Sequence, residues 1–165
     1  MGEKIIMALG AVPNEIKLII VSMLPIIELR GAIPLGAALL NMGMWETFFI
    51  SVIGNLIPVP FLILLTRPIF SWLKKTRLFS GIVHKLESKV QTKGDKVMKN
   101  AALGLFLFVA IPAPGTGAWT GSMIAALFDM RFKYALPSII LGVITAGIIM
   151  TVASFGVTSL VGFIA

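Results

Sequence analysis

Apolar positions in this chain fall into four long blocks, each interrupted by a few polar, proline or glycine positions. The first runs from Leu18 to Met44 and is broken by Glu28-Leu29-Arg30. The second, Thr47 to Thr66, carries Asn55, Pro58 and Pro60, and the third extends from Ala101 to Phe128. A fourth runs from Tyr134 to Ala165. Several windows stay apolar over roughly 20 residues, the length a helix needs to cross a hydrocarbon core of about 30 Å. Ahead of the first block, residues 3–12 read as a short interfacial helix ending before Pro13.

The third block shows its construction most plainly. Two apolar arms, Ala101 to Ile111 and Ala118 to Phe128, flank Pro112-Ala113-Pro114-Gly115-Thr116-Gly117. Such a run cannot stay helical, because proline lacks the N–H and glycine has little preference for helix. At 1.5 Å per residue each arm reaches about 16 Å, half a bilayer. The block therefore crosses once with a broken centre, or dips to the midplane and returns. The first block has the same ingredients, with Pro25, Gly31, Pro34 and Gly36 around its charges. Gly31-Ala32 parallels Gly117-Ala118, Asn41-Met42 parallels Asp129-Met130, and Gly54 parallels Gly142, so each half reads as a broken hairpin followed by a long span.

Composition agrees with a membrane setting. The chain is 58% hydrophobic and 13% charged, with a mean hydropathy of +1.00, whereas soluble domains carry about a quarter charged residues. It contains no cysteine, which excludes disulfides, thiolate metal sites and cysteine nucleophiles. A single His84 makes neither a metal site nor a Ser-His-Asp arrangement, and the apolar run after Lys4 is too short for a signal peptide. Neither a metal nor another cofactor is expected.

The net charge of +7 is confined to one place. Between Arg67 and Lys99, nine basic residues stand against Glu87 and Asp95, and the charges elsewhere cancel. Because this segment lies between apolar blocks, the positive-inside rule places it in the cytoplasm, and no nucleic-acid partner is expected. If all four blocks crossed, the turn with Arg131 and Lys133 would fall outside, against the same rule. A re-entrant third block removes that conflict.

The predicted architecture is a single all-α membrane domain over residues 1–165, built as two inverted repeats. Residues 1–66 form the first half, with a re-entrant hairpin at 18–44 and a span at 47–66. A basic cytoplasmic segment, 67–100, joins it to the second half, 101–165, with its hairpin at 101–128 and span at 134–163. Broken helices of inverted-repeat transporters hold their substrate site at the midplane.

Glu28 and Arg30 are the candidate site charges. In a continuous helix they would stand about 200° apart. One would then face lipid, at roughly 2.5–3.5 kcal/mol on insertion scales. A break at Gly31 and Pro34 would let both reach one polar cavity and pair there. Such a pair either pins the hairpin or forms a midplane ligand or proton site. Arg30 suits an anionic head group, since its fork matches phosphate or carboxylate oxygens. Glu28 suits a titrating role, with burial and Arg30 acting on its proton affinity in opposite senses.

Other candidates follow from local chemistry. Gly115-Thr116-Gly117 offers backbone N–H groups to an anion where an arm begins, or only makes the turn tight. Gly117 and Gly121 form a small-xxx-small pair suited to close helix packing. Thr116, Thr120 and Ser122 either line a cavity or bond back to carbonyls one turn away. Asn55 lines the cavity or caps carbonyls freed by Pro58. Pro25, Gly31, Pro34, Pro112 and Pro114 are expected to break the hairpins, and Asp129 and Arg131 are secondary charges after the second. Trp45, Trp72 and Tyr134 read as interfacial anchors. Leu78, Ile82, Leu86 and Val90 recur at helical spacing among Lys85, Lys89, Lys93 and Lys96, a basic amphipathic helix suited to anionic lipid.

The stretches "MLPIIELRGAIPLGAAL" and "FVAIPAPGTGAWTGSMIAALF", with the basic segment between them, resemble the family of putative small multidrug export proteins, a branch of the DedA superfamily. The likeness runs from about Met23 to Gly147. It implies two oppositely oriented re-entrant hairpins and a role in envelope homeostasis, with DedA relatives linked to polyprenyl phosphate recycling and proton-dependent drug tolerance. By motif, the superfamily's hairpin-one acid falls on Glu28. Arginines that many relatives carry around their second hairpin have no counterpart in Pro112 to Gly121, where Arg30 and Arg131 are the nearest substitutes.

Three classes of function are weighed. A proton-coupled transporter or flippase would bind an anionic lipid carrier through Arg30 and hairpin N–H groups, or a cationic drug through Glu28. A scaffold would hold anionic lipid and partners without transport. An enzyme is not expected, since no nucleophile–base pair or metal ligand set is present. A homodimer is expected, because one subunit has few helical rods with which to enclose a cavity.

Overall fold

A computed structural model describes residues 1–74 and 100–164, and these are helical with short connections. Helix α1 spans Gly2–Ala8. Pro13, with φ −54°, supplies the first carbonyl of α2, Asn14–Met23. Then come α3, Glu28–Ala38, and α4, Met44–Leu56. Ile57 keeps helical angles and Pro58 opens α5, Pro58–Lys74, at the first position, where the missing N–H costs little. The two helices thereby join into one apolar stretch, Met44–Thr66. Helix α6 is Asn100–Ala110, α7 is Ala118–Leu127 and α8 is Phe132–Ile164, apolar from Phe132 to Gly156. Those two stretches are long and apolar enough to cross a membrane.

The short helices make two hairpins, α2 with α3 and α6 with α7. At 10 and 11 residues, α2 and α3 are each about 15 Å long, half a hydrocarbon core. The second hairpin breaks between Ala110 and Ala118, over the Pro112 and Pro114 run, as expected. The first breaks earlier than its sequence suggests. Its chain turns at Leu24–Ile27, whereas Gly31 and Pro34 lie inside α3. Leu24 is extended (φ −75°, ψ 133°), the conformation forced on a residue that precedes a proline. Pro25 thus makes the break. Pro34 removes one hydrogen bond, to Arg30 O, and buried Leu29, Ala32, Ile33 and Gly36 hold the helix together around it.

Both hairpins end alike. Asn41 (φ 50°) and Asp129 (φ 51°) are exposed and left-handed, a conformation Asn and Asp accept more readily than other side chains. Each is followed by a buried methionine whose N–H bonds back into the helix, Met42 to Gly36 O at 3.0 Å and Met130 to Ala125 O at 2.9 Å.

Each hairpin packs on a long span. A Cβ on Gly54 of α4 would stand 2.9 Å from Ile19 O and 3.1 Å from Ser22 Cβ of α2. Likewise, a Cβ on Gly142 of α8 would stand 3.0 Å from Phe106 O and 2.7 Å from Val109 Cβ of α6. Helix α3 also lies on α8, α7 lies on α5, and α4 meets α8 where Phe48 and Val52 face Gly147. Leu29, Ile33, Val59, Ile63, Val109 and Ile139 share one buried core.

The outward faces are apolar too. Phe49, Ile53, Ile57 and Phe61 are exposed at four-residue spacing along the first span, and Leu141, Ile148, Ile149 and Val152 along the second. Such a surface is a liability in water and a match for lipid. Helix α5 continues through Arg67 to Lys74, so the span enters the segment assigned to the basic loop. The amphipathic stretch from Leu78 to Val90, with His84, lies outside the described residues.

Candidate functional site

Glu28 and Arg30 of hairpin one meet the broken tip of hairpin two. The Glu28 side chain is 2% exposed. Its Oε1 accepts the backbone N–H of Trp119 at 3.1 Å, and its Oε2 accepts Arg30 Nη2 at 3.1 Å. Arg30 Nη1 donates to the carbonyl of Ala113, in the second break. A fourth link runs from Trp119 Nε1 to Met23 O at 3.0 Å. Carboxylate and guanidinium therefore cap the opposite hairpin rather than their own.

The pairing of Glu28 with Arg30 within one helix has a local cause. Glu28 takes a left-handed φ of 49° at the head of α3. The regular helical angle between the two residues does not apply there, and the carboxylate swings back onto Arg30. Opposite it, Gly117 has φ +131°, and a Cβ on it would collide with the Glu28 carboxylate. Glycine is needed there both for its backbone angle and for the space. Since Gly117 caps α7, Glu28 also faces the electropositive helix N-terminus.

A small cavity beside this contact is lined by Glu28, Arg30, Asn55, Pro112, Gly117 and Val143, among others. It has space for about one water molecule. Asn55 is fully buried, and neither its Nδ2 nor its Oδ1 has a protein partner. Thr47 Oγ1, Ser51 Oγ and Thr151 Oγ1 are also buried without one. Each such group costs about 1–3 kcal/mol if left dry.

The remaining candidates divide. Asn55 and Gly117 reach the cavity; Gly115, Thr116 and Thr120 are not in its lining. Thr116 Oγ1 lies 2.6 Å from Ile111 O and 2.7 Å from Ala113 O and accepts the Ala113 N–H at 3.2 Å, so it braces the turn. Ser122 donates to Ala118 O at 2.6 Å, one turn back. Gly121 serves close packing, as a Cβ there would stand 2.6 Å from Val109 Cγ2. Asp129 ends α7, and the carbonyl of exposed Arg131 accepts the first N–H groups of α8; neither approaches the Glu28 cavity. Sequence reasoning missed Trp119, Ser22, Thr47 and Ser51. The last two stand eight and four positions before Asn55, a helical spacing that was there to be read.

Helical hairpins joined by buried charge, apolar outward faces and two spans of membrane length define a helical membrane protein. The chain belongs to the family described as putative small multi-drug export protein, whose profile matches residues 28–149. That match begins at Glu28 and takes in both candidate charges, the first span, the second hairpin and most of the second span. No curated protein and no solved structure matches the chain.

Proposed function

We propose that this protein is a carrier rather than an enzyme, exchanging an anionic head group and a proton at the Glu28–Arg30 site, with a polyprenyl phosphate as its cargo. One observation carries the reading: the Glu28 carboxylate sits where an external anion would, between a guanidinium and the N-terminal N–H groups of α7. It acts as a tethered substitute for the cargo. Protonating Glu28 removes its charge and frees Arg30 and the Trp119 N–H for a phosphate. A charged carboxylate and a phosphate repel each other at that distance, so proton and anion enter together. Glu28 and Arg30 are the ionisable groups in the lining; Asn55 from α4, Val109 from α6 and Val143 and Ala146 from α8 are neutral. With space for about one water, the present state is closed, and the hairpins must part to admit cargo.

In this reading the hairpins are re-entrant from opposite faces and the halves are inverted repeats. Support comes from helices of half-bilayer length, the matched ends at Asn41 and Asp129, and the matched contacts of Gly54 and Gly142. The exchange of partners, α3 onto α8 and α7 onto α5, fits the same symmetry. Charge bias sets residues 67–100 in the cytoplasm of a multi-pass protein, where they would hold anionic lipid. Pairing of two copies through the apolar faces would complete the wall around the site.

The family's name favours a second cargo, a cationic compound with Glu28 as counter-ion. Transbilayer movement of a labelled polyprenyl phosphate in proteoliposomes separates the two. Movement by wild type and its loss in a folded Arg30→Gln variant are expected. No movement at any pH, with or without a proton gradient, would overturn the lipid reading. Cation export abolished by Glu28→Gln would then put the drug reading first, and absence of both activities would leave a scaffold.

A further inference from the structure

Four of the buried polar atoms without a protein partner belong to one face of one helix. Thr47, Ser51 and Asn55 recur every fourth residue along α4, and all three are fully buried. At 1.5 Å per residue they make a line about 12 Å long. Its two ends are fixed by α3, which runs the opposite way. Gly36, near the α3–α4 turn, faces Thr47, where a Cβ on it would stand 2.6 Å from Thr47 Cγ2 and 3.1 Å from Oγ1. Glu28, at the head of α3, shares the cavity with Asn55. The line thus runs from the connection between hairpin and span down to the paired charges.

Several hydroxyls elsewhere among the described residues satisfy themselves, Thr151 being an exception. Ser122, Ser138 and Thr145 each donate to the carbonyl four residues back, at 2.6, 2.8 and 2.8 Å. Thr47 and Ser51 do not, and Asn55 has two polar atoms to satisfy. Nor does the fold demand polarity at these sites. Ala135, Ile139 and Val143 stand at the same spacing from Gly142 as Thr47, Ser51 and Asn55 from Gly54. All three are fully buried on α8, and Val143 lines the same cavity. One seam is wet in chemistry and its counterpart is oily.

We propose that the Thr47–Ser51–Asn55 face of α4 lines a narrow water path from the α3–α4 turn to the Glu28–Arg30 site. Water bridging these groups supplies the hydrogen bonds they lack. Resting on the carrier reading and its topology, the path opens opposite the basic segment and delivers protons to Glu28 from outside, while the apolar seam on α8 blocks leakage inward. At this seam Gly36 packs closely on Thr47 and the Ser22 hydroxyl donates to Ser51 O, so water enters the path as α2 and α3 ease away from α4.

The absence of cysteine makes the test direct. Single Ser51→Cys, Asn55→Cys, Val52→Cys and Ile139→Cys variants of the full chain are reconstituted in vesicles and treated with 2-aminoethyl methanethiosulfonate. Reaction at Ser51→Cys and Asn55→Cys at least about tenfold faster than at Val52→Cys and Ile139→Cys is expected, since thiol reactivity follows access to water. Equal rates at Ser51→Cys and Ile139→Cys would overturn the path. Labelling does not depend on cargo. Fast labelling in vesicles that move neither proton nor lipid leaves the path standing and removes the carrier reading, while slow labelling in transporting vesicles does the reverse. Should a cysteine variant fail to fold, Thr47→Val and Ser51→Ala together serve instead. They keep nearly the native volume, and a several-fold loss of dye-reported proton uptake is expected, with unchanged uptake counting against the path.

Discussion

The backbone N–H of Trp119 donates to Glu28 Oε1 at 3.1 Å, joining residues 91 positions apart at the tips of two different hairpins. Arg30 reinforces the joint from the same side by donating to Ala113 O. The acid is consumed by the second hairpin's helix end, and so the closed site presents a satisfied carboxylate and no free anion site. In the proposed carrier, neutralising Glu28 loosens the hairpins and exposes the anion site in one step.

Gly117→Ala should be among the most damaging single-methyl changes in the chain. It combines a φ of +131° with a Cβ that collides with the Glu28 carboxylate. A loss on the order of 3–4 kcal/mol is expected. Gly115→Ala shares the unusual backbone, with φ +84°, but has nothing within 4 Å. It should cost only about 1–2 kcal/mol. Melting temperatures of the two variants in one detergent check the order, and equal losses would mean that the carboxylate does not sit against Gly117.

Removing one charge of the buried pair should be worse than removing both. Arg30→Met leaves the 2%-exposed Glu28 with a single N–H partner, at about 3–5 kcal/mol. Adding Glu28→Gln to that variant should restore a good part of the loss, because no unpaired charge then remains in the buried site. A double-mutant cycle on unfolding free energies reads the coupling directly. Strict additivity would show that the two side chains do not interact.

How far the sequence announced this arrangement depends on range. Four apolar blocks, the break at Pro112 to Gly117 and the paired motifs Asn41-Met42 and Asp129-Met130 are local features, and they were legible. The first break was misplaced because Gly31 and Pro34 are individually unfavourable in helices, while the decisive effect was Pro25 holding Leu24 extended. With the break moved, the pairing of Glu28 and Arg30 needed a left-handed glutamate, which no propensity rule anticipates. Their partners Ala113 and Trp119 lie in the other half and are chosen by packing, beyond the reach of periodicity. Thr47 and Ser51 are the instructive omission, since two hydroxyls in register with Asn55 were visible as spacing alone.

Glycines at the hairpin–span seams should behave as a matched pair. Gly54→Ala and Gly142→Ala each press a methyl on a backbone carbonyl, Ile19 O at 2.9 Å and Phe106 O at 3.0 Å. Backbone cannot step aside as a side chain can, so both should lose about 1–3 kcal/mol. Gly104→Ala, with nothing within 4 Å on helix α6, should be neutral or gain up to about 1 kcal/mol from helix propensity. A stable Gly54→Ala beside an unstable Gly142→Ala would break the proposed equivalence of the two halves.

Hairpin separation on protonation can be watched through Trp119. Of the three tryptophans, Trp45 and Trp72 can be replaced by phenylalanine, leaving Trp119 as the reporter. In the closed state its indole is half-buried and bonded to Met23 O at 3.0 Å. Lowering the pH protonates Glu28 and removes the charge from its contacts with Arg30 and the α7 terminus. If the proposed carrier is gated by this acid, the hairpins then part, and Trp119 emission should shift to longer wavelength and become more accessible to iodide. Glu28→Gln should show the shifted spectrum at neutral pH and lose the pH response, because its side chain is neutral throughout. Arg30→Gln should keep a pH response at a displaced midpoint, since the titrating acid remains while its partner is gone. Emission that is indifferent both to pH and to Glu28→Gln would mean that the hairpins stay docked without the charge, and a carrier gated by that acid would be ruled out.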